Sequence, residues 1–501
     1  MRSGDGRTRV TDIISSIITS LLAQVGPHGN LLSGELDKLR SDVDALSQRI
    51  NDVGRAAGID IAEPVTRLSI VQGYVGVFLV AFLVTLASTP IMRRVAVANG
   101  VIDRPSESRK VHRQPIAYLG GVAVFFGLLG GIVYSYLATE FKGLIEFHPS
   151  TSDHMPDGLF QPALPISILI GMTIIMLTGV IDDVVGISPR VKIGGQLIGA
   201  AALAIDNVGV NLAAGIVLPI VRGLGFSTQF VQGQETLQFM IPIPGTGAVI
   251  PIDVIYWIGT AIIAISVIGL CNASNLIDGL DGLLSGTTAI SSMGLLVLAL
   301  TLALLDDGPR DAQRIVLCLA LLGACLGFLP HNFNPATIFL GDAGSLLMGF
   351  TACVIILTLG DTGKTQFVIA GLIIYAVPII DTSLAIVRRK LEGKSISAAD
   401  SNHLHHMLKR ALGVKGAVLT LYGIAASFAI MGVGISLVRA RVIYVLALLL
   451  AAYIGVIAIK VARKKFIEDQ AAAFDLAQAE SATGTPAESA SASGSKPGDT
   501  A

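Results

Sequence analysis

The chain has 501 residues, of which 52% are hydrophobic and 14% charged, with a formal net charge of −1 and a mean hydropathy of +0.71. A soluble domain carries about 25% charged residues, so this composition excludes an ordinary water-exposed surface. The net charge says nothing about partners, because the information lies in where the charges stand; no nucleic-acid partner is expected. Cys271, Cys318, Cys325 and Cys353 lie in or beside apolar runs without a CxxC pair, which points away from disulfides and a zinc site and towards small buried side chains.

Residues 1–65 stand apart. Val10, Ile13, Ile14, Ile17, Ile18, Leu21, Leu22 and Val25 repeat at helical spacing and form one stripe of an amphipathic helix. Arg2, Arg7 and Arg9 ahead of it resemble a signal peptide, but Asp12 and the regular polar face argue against one. Leu32, Leu36, Leu39, Val43, Leu46, Ile50 and Val53 then alternate spacings of four and three, the seam of a short coiled coil or of a self-packed helical hairpin.

From residue 66 to 465 the pattern is that of an all-α polytopic membrane domain. A span needs about 20 apolar residues, and uncharged stretches of that kind fall at 68–92, 114–139, 158–181, 254–277, 282–305, 315–341, 343–360, 416–438 and 442–459. Two further candidates contain one acid each: 193–221 with Asp206, read as a helix over 191–206 that exits into a loop, and 365–387 with Asp381. The reading is therefore eleven spans. Residues 466–501, rich in Ala, Ser, Gly, Pro and Thr, form a tail expected to be disordered.

Orientation follows from the basic residues of the short loops. Arg93, Arg94, Arg104, Arg109, Lys110 and Arg113 follow the first span, Arg388, Arg389, Lys390, Lys394, Lys409 and Arg410 follow the ninth, and Arg463, Lys464 and Lys465 follow the last, whereas loops of the other parity are nearly bare. This asymmetry places the N-terminus outside and the C-terminus in the cytoplasm.

Ionisable groups in a membrane cost roughly 2.5–3.5 kcal/mol each at a helix centre on insertion scales, so their positions are informative. Four groups gather at cytoplasmic span ends. Asp182 and Asp183, followed by a Ser-Pro turn and Lys192, repel each other and call for a divalent cation or a shared proton, unless they are simply a solvated helix end. Asn272, Asn275, Asp278 and Asp281 repeat every three residues, a polar strip of which two members precede glycines. Asp342, flanked by Gly341 and Gly344, opens a span where the helix dipole favours an acid and where it could hold a hard cation. His403, His405 and His406 sit in the basic loop after the ninth span, where anion binding with Arg388, Arg389 and Lys394 is preferred to metal binding. Together these describe carboxylates bordered by cations at a bilayer boundary, suited to chemistry between a phosphorylated lipid and a cytoplasmic phosphorylated molecule.

The ordered set DDxxGxSPRxK (182–192), NxxNxxDGxDGL (272–283), FLGDAGS (339–345) and HLHH (403–406), preceded by RKVHRQPIxxLGG (109–121), resembles the polyprenyl-phosphate N-acetylhexosamine-1-phosphate transferases over about residues 70–465. HLHH and the Ser-Pro resemble the branch that uses UDP-GlcNAc; the UDP-MurNAc-pentapeptide branch of peptidoglycan synthesis usually shows three consecutive histidines. The resemblance implies eleven spans and a multi-pass enzyme of the plasma (inner) membrane with its site on the cytoplasmic side. It implies transfer of GlcNAc-1-phosphate, or a related N-acetylhexosamine-1-phosphate, to undecaprenyl or another polyprenyl phosphate, with release of UMP, at the start of a cell-envelope polysaccharide. Carried over by position, it implies Asp342, with Asn275, as the Mg²⁺ site (Mn²⁺ being able to substitute), Asp182 and Asp183 as a catalytic pair, and Asp278 and Asp281 as further catalytic acids. Lys110, His112, Lys192, Asn272, Asn275, Arg388, Arg389, His403, His405 and His406 would bind substrate. A homodimer is compatible with it. The chain departs from the family's pattern at Ala117-Tyr118, where Pro-Arg is usual, and at Ala399-Asp400-Ser401, where Pro-Asp-Arg is usual.

Two other classes compete. An ion-coupled transporter would use intramembrane acids as a relay, with Asp381 its best candidate, but it would place its main acids near helix midpoints and usually shows an internal repeat. A non-catalytic membrane scaffold built on the N-terminal extension would be expected to have lost some of the five matching acids.

Overall fold

The computed structural model describes residues 69–103, 115–141, 144–145, 164–225, 228–231, 234–242, 249–304, 311–361, 363–391, 393 and 403–437. The amphipathic and heptad segments before residue 66, Lys110, His112, the span expected at 442–459 and the tail lie outside the described residues.

Among the described residues the chain is helical almost throughout. It runs α1 (Ser69–Ala98), α2 (Gly120–Glu140), α3 (Ile166–Val185), α4 (Pro189–Ile205), α5 (Asn211–Gly223) and α6 (Val254–Ile277). It continues with α7 (Leu283–Leu304), α8 (Asp311–Asn332), α9 (Gly341–Thr358), α10 (Thr365–Ile374), α11 (Ala376–Leu391) and α12 (Leu404–Ser436). Eight of these are long and apolar enough to cross a membrane, and α10 with α11 makes a ninth, bent by 80°. The 17 residues of α4 reach only about 25 Å at 1.5 Å per residue, short of a hydrocarbon core of about 30 Å. Asn207 and Gly209, both at positive φ, break the chain after α4, so the rest of the expected 193–221 segment becomes the separate 13-residue α5.

Three short antiparallel pairings complete the described chain. β1 (Ile102–Asp103) pairs with β2 (Ile116–Ala117), β3 (Gln229–Val231) with β4 (Gln234–Thr236), and β5 (Gln238–Pro242) with β6 (Val249–Asp253). The last pair ends at Asp253, whose carboxylate accepts the Tyr256 N–H at 3.1 Å and starts α6.

The outer helices expose apolar side chains in rows, such as Val75, Leu79 and Leu83 on α1, Ile166, Ile170, Leu177 and Ile181 on α3, and Trp257 and Ile265 on α6. An aqueous surface would not tolerate patches of that extent; a lipid-facing one requires them. The centre of the bundle is α9. Every residue from Ala343 to Thr358 is buried, with α3 and α6 packed along it and α2, α7, α8 and α10 closing the ring.

A helix buried in this way leaves its terminal N–H and C=O groups without water. At its C-terminal end the Thr358 carbonyl accepts two bonds from Arg314 of α8, from Nε at 3.0 Å and from a terminal guanidinium nitrogen at 2.6 Å, and a third Arg314 nitrogen meets Asp311 at 2.7 Å. Both side chains of that ion pair are buried. Removing one partner of a buried pair costs about 3–5 kcal/mol, whereas replacing both with apolar groups is often neutral. Arg314→Ala is therefore expected to lower the thermal unfolding midpoint in detergent strongly, and Arg314→Met combined with Asp311→Ala to lower it less. Equal loss in both variants would contradict the account.

Candidate active site

The opposite end of α9 gathers the sequence motifs. Gly341 adopts φ +72°, and an added Cβ there would lie 2.5 Å from Asp183 Oδ2, so the turn into α9 needs glycine. Asp183, on the last turn of α3, accepts the N–H of Asp342 at 2.7 Å on Oδ1 and the N–H of Ala343 at 3.0 Å on Oδ2. It caps the α9 N-terminus from a neighbouring helix, where the helix dipole favours negative charge. Such an approach demands small residues: a Cβ on Gly179 would meet the Ala343 backbone at 2.3 Å, and one on Gly121 the Gly344 backbone at 2.0 Å. The segment before α2 is stitched to the same turn, with Gly120 N–H donating to Phe339 O at 3.0 Å, Gly121 N–H to Leu340 O at 2.8 Å, and Phe339 N–H to Ala117 O at 2.8 Å.

Lys192 of α4 is the hub of the polar network. Its ammonium contacts Asp182 Oδ2 at 2.9 Å, the Asp342 carboxylate, and Asn275 Oδ1 at 3.4 Å. Asn275 donates in turn to Asp342 Oδ1 at 2.7 Å and to the Ser345 hydroxyl at 2.9 Å. The other oxygen of Asp182 accepts the Ile187 N–H at 2.9 Å, fixing the turn between α3 and α4.

The strip of four polar residues divides at the end of α6. Asn275 reaches the site, while Asn272, one turn earlier, donates to Gln196 Oε1 and Ile268 O, both at 2.8 Å, and does not line the cleft. Asp281 holds the loop between α8 and α9 through the Asn334 amide at 2.8 Å and the Ala336 N–H at 3.1 Å. The buried Asn332 ties the same turn down, accepting from Gly282 N–H at 3.1 Å and Ser285 at 3.0 Å and donating to Ile338 O at 3.1 Å. Asp278 has no hydrogen-bond partner among the described residues and faces a cleft of about 850 Å³. Burial, and then the neighbouring Asp342, Asp183 and Asp281, push its carboxyl up to about 8.

Asn275, Asp278, Asp281, Asp342 and His406 all line this cleft, and Arg93, Lys409 and Tyr118 complete its rim. Arg93 lies in the C-terminal part of α1, and Lys409 stands one turn beyond His406 on the same face of α12. The helical spacing from His406 could have found Lys409; nothing local to the sequence aims Arg93 here. Tyr118, at one of the departures from the family pattern, packs against Phe339 with ring centroids 5.9 Å apart. Its hydroxyl is shifted upward by burial and by Asp103, Asp183 and Asp342.

His403 and His405 turn away from the rim, with both Nδ1 atoms on buried Asp381, at 3.0 and 3.3 Å. Arg388 and Arg389, expected beside the histidines in anion binding, are buried near the end of α11 and do not line the cleft. Lys390, next to them on α11, is exposed.

The cluster suits a hard divalent cation. Lys192 is shared by Asp182 and Asp342, Asp183 and Asp278 stand beside Asp342, and the available donors are carboxylate and amide oxygens with no thiol among them. Their roles separate by stability. Asp183→Asn is expected to cost about 1.5–3 kcal/mol, the range for a hydrogen bond to a charged group, read as a lower melting temperature. Asp278, which has no such backbone partners among the described residues, is tested through its pH dependence. Folded, it keeps its proton to about pH 8, while the unfolded carboxyl releases it near 3.8, so without a cation its favourable contribution is present below the unfolded value and lost as pH rises to about 8. In metal-free buffer Asp278→Asn should gain on the parent protein from pH 5 to 8; a pH-independent difference would contradict this.

Residues 165–360 match the model of glycosyl transferase family 4. The chain is 32% identical over 358 residues to a probable undecaprenyl-phosphate N-acetylglucosaminyl 1-phosphate transferase of Bacillus subtilis (strain 168), covering 71% of this chain and 83% of that one. It is 31% identical over 360 residues to the decaprenyl-phosphate N-acetylglucosaminephosphotransferase of Mycolicibacterium smegmatis, covering 69% and 77%. A phospho-N-acetylmuramoyl-pentapeptide-transferase of Bacillus cytotoxicus is similar at 26% identity, covering 71% and 95%. With the acidic motifs assembled around one cleft and these relatives spanning most of the membrane domain, the chain belongs to glycosyl transferase family 4, among the polyprenyl-phosphate N-acetylhexosamine-1-phosphate transferases.

Proposed function

We propose that the protein transfers GlcNAc-1-phosphate from UDP-GlcNAc to a polyprenyl phosphate at the cytoplasmic face of the plasma membrane. One observation carries the reading: acids from α3, the α6–α7 turn and α9 meet at one end of an apolar bundle, around a cleft rimmed by Arg93, His406 and Lys409. That end is also the one with the basic loops, which supports its cytoplasmic placement. The relatives named as GlcNAc-1-phosphate transferases support the donor.

In this reaction an oxygen of the lipid phosphate attacks the β-phosphorus of the UDP-sugar. The bond between that phosphorus and the oxygen bridging it to the α-phosphate breaks, and UMP leaves with the electron pair. Both reactants are anions, so the protein's task is mostly positioning and charge neutralisation. Mg²⁺, held by Asp342 with the Asn275 amide oxygen, would neutralise diphosphate oxygens. Lys192 keeps Asp182 and Asp342 at their separation, and Arg93 and Lys409 offer positive charge to phosphates entering the cleft. Asp183 has both oxygens committed to backbone amides, which leaves Asp278 facing the substrates; with a cation bound beside it, its carboxyl would fall from about 8, and the carboxylate so formed would then be able to take a proton from the attacking phosphate.

The UDP-MurNAc-pentapeptide reaction is the alternative, favoured only by the lower-identity relative. A transfer assay separates the two. Purified protein should move radiolabelled sugar phosphate from UDP-GlcNAc to undecaprenyl phosphate, need added Mg²⁺ after chelation, and lose about 100-fold or more of its rate in Asp342→Asn. Product from UDP-MurNAc-pentapeptide alone would overturn the donor, and no product from either would overturn the activity.

A further inference from the structure

Asp381 stands near the middle of the bent span, buried and outside the cleft. Its carboxylate is nonetheless the anchor of the histidine motif 22 residues later. Oδ1 accepts the Leu404 N–H at 2.8 Å, fixing the first turn of α12. Oδ2 meets His403 Nδ1 at 3.0 Å and His405 Nδ1 at 3.3 Å, and the two rings stack with centroids 5.4 Å apart. All three side chains are buried. The far edge of His405 is equally constrained, since a Cβ on Gly279 would lie 2.5 Å from its Nε2. The imidazole therefore spans from Asp381 to the turn that carries Asp278.

We propose that Asp381 is a positioning residue of the transferase, holding His403 and His405 as Nδ1–H donors so that Nε2 of His405 is presented at the Asp278–Gly279 turn of the cleft. The chemistry is that of a carboxylate behind an imidazole. A carboxylate can only accept, so each Nδ1 must carry a proton, and in the neutral ring the lone pair is confined to Nε2. A neutral imidazole without such a partner more readily carries its proton on Nε2, which would present the wrong group. The 80° break between α10 and α11 belongs to the same device, because it directs α11 so that Asp381 lies under the start of α12. One carboxylate thus couples a bent span, a loop and a catalytic turn.

This inference rests on the transferase reading for its meaning, but its decisive readout does not require turnover. The full-length protein, reconstituted in nanodiscs with ¹⁵N-labelled histidine, reports the tautomer of each ring by NMR, His403 and His405 being assigned through His→Gln variants. Asp381→Asn should move both rings from Nδ1–H to Nε2–H and lower transfer by about 100-fold or more. Unchanged tautomers, or transfer within threefold of the parent protein, would overturn the proposal. If Asp381→Asn does not fold, Gly279→Ala tests the other edge: it keeps Asp381 but displaces the His405 ring, and should also lower transfer at least tenfold. Full activity in that variant would count against the proposal. Metal analysis closes the remaining route, because a stoichiometric metal ion lost from Asp381→Asn would make the trio a metal site and overturn the hydrogen-bond account. Tautomers that switch in a protein whose parent form transfers nothing would uphold the positioning role and defeat the transferase reading alone.

Discussion

The organising constraint is the burial of α9. A helix surrounded by other helices inside a bilayer cannot hand its end groups to water, and each unmet N–H or C=O there costs several kcal/mol. Arg314 answers for the carbonyl end and Asp183 for the amide end. The second solution has a chemical consequence. A carboxylate at the α9 N-terminus, placed beside Asp342 on the first turn, creates a dense patch of negative charge, and Lys192, Asn275 and the α3–α4 turn are arranged to hold it. The candidate active site is thus built on the same contacts that close the end of the central helix.

Charge then divides the acids by role. Asp183 is spent on backbone amides, Asp281 on the loop that carries Asn334 and Ala336, and Asp182 on Lys192 and the Ile187 amide. Asp342 keeps contact with Lys192 and Asn275, while Asp278 faces the cleft without a hydrogen-bond partner among the described residues. Lys192 is shared by Asp182 and Asp342, while Asp278 keeps its proton to about pH 8 in the absence of a cation. Oxygen donors with no thiol among them suit a hard divalent cation, and that is the physical reason for proposing a metal-assisted reaction in the cleft.

Much of this was legible because charges in an apolar chain are expensive and therefore conspicuous. Asp182, Asp183, Asp278, Asp281 and Asp342 announce themselves between uncharged spans, and Gly341 before Asp342 marks the turn into a helix. What was not legible is how each carboxylate is spent, because Asp183 and Asp342 are 159 residues apart in their capping contact. Asp381 suggested an ion relay for the same reason: its histidine partners lie across a bend that no periodicity shows. Arg388 and Arg389 read as loop cations although α11 buries them, and Asn272 shares the spacing of Asn275 while its side chain turns to Gln196. The end of α4 near Asp206 was legible from the acid and the following Asn207 and Gly209, whereas α5 was read as a loop although it is a helix over Asn211–Gly223. Arg93 joins the cleft through tertiary packing, which a run of loop charges cannot specify.

The central claim is that the α9 N-terminus is where a metal-bound diphosphate is handled. The most direct measurement is a crystal structure with UMP and Mn²⁺, using the anomalous signal of the metal to locate it without reference to the protein. The account expects one anomalous peak in contact with Asp342, with the UMP phosphate in the cleft between Asp278 and the Arg93–Lys409 rim. A peak at Asp381, His403 and His405 instead, or UMP bound elsewhere with no metal at Asp342, would contradict it.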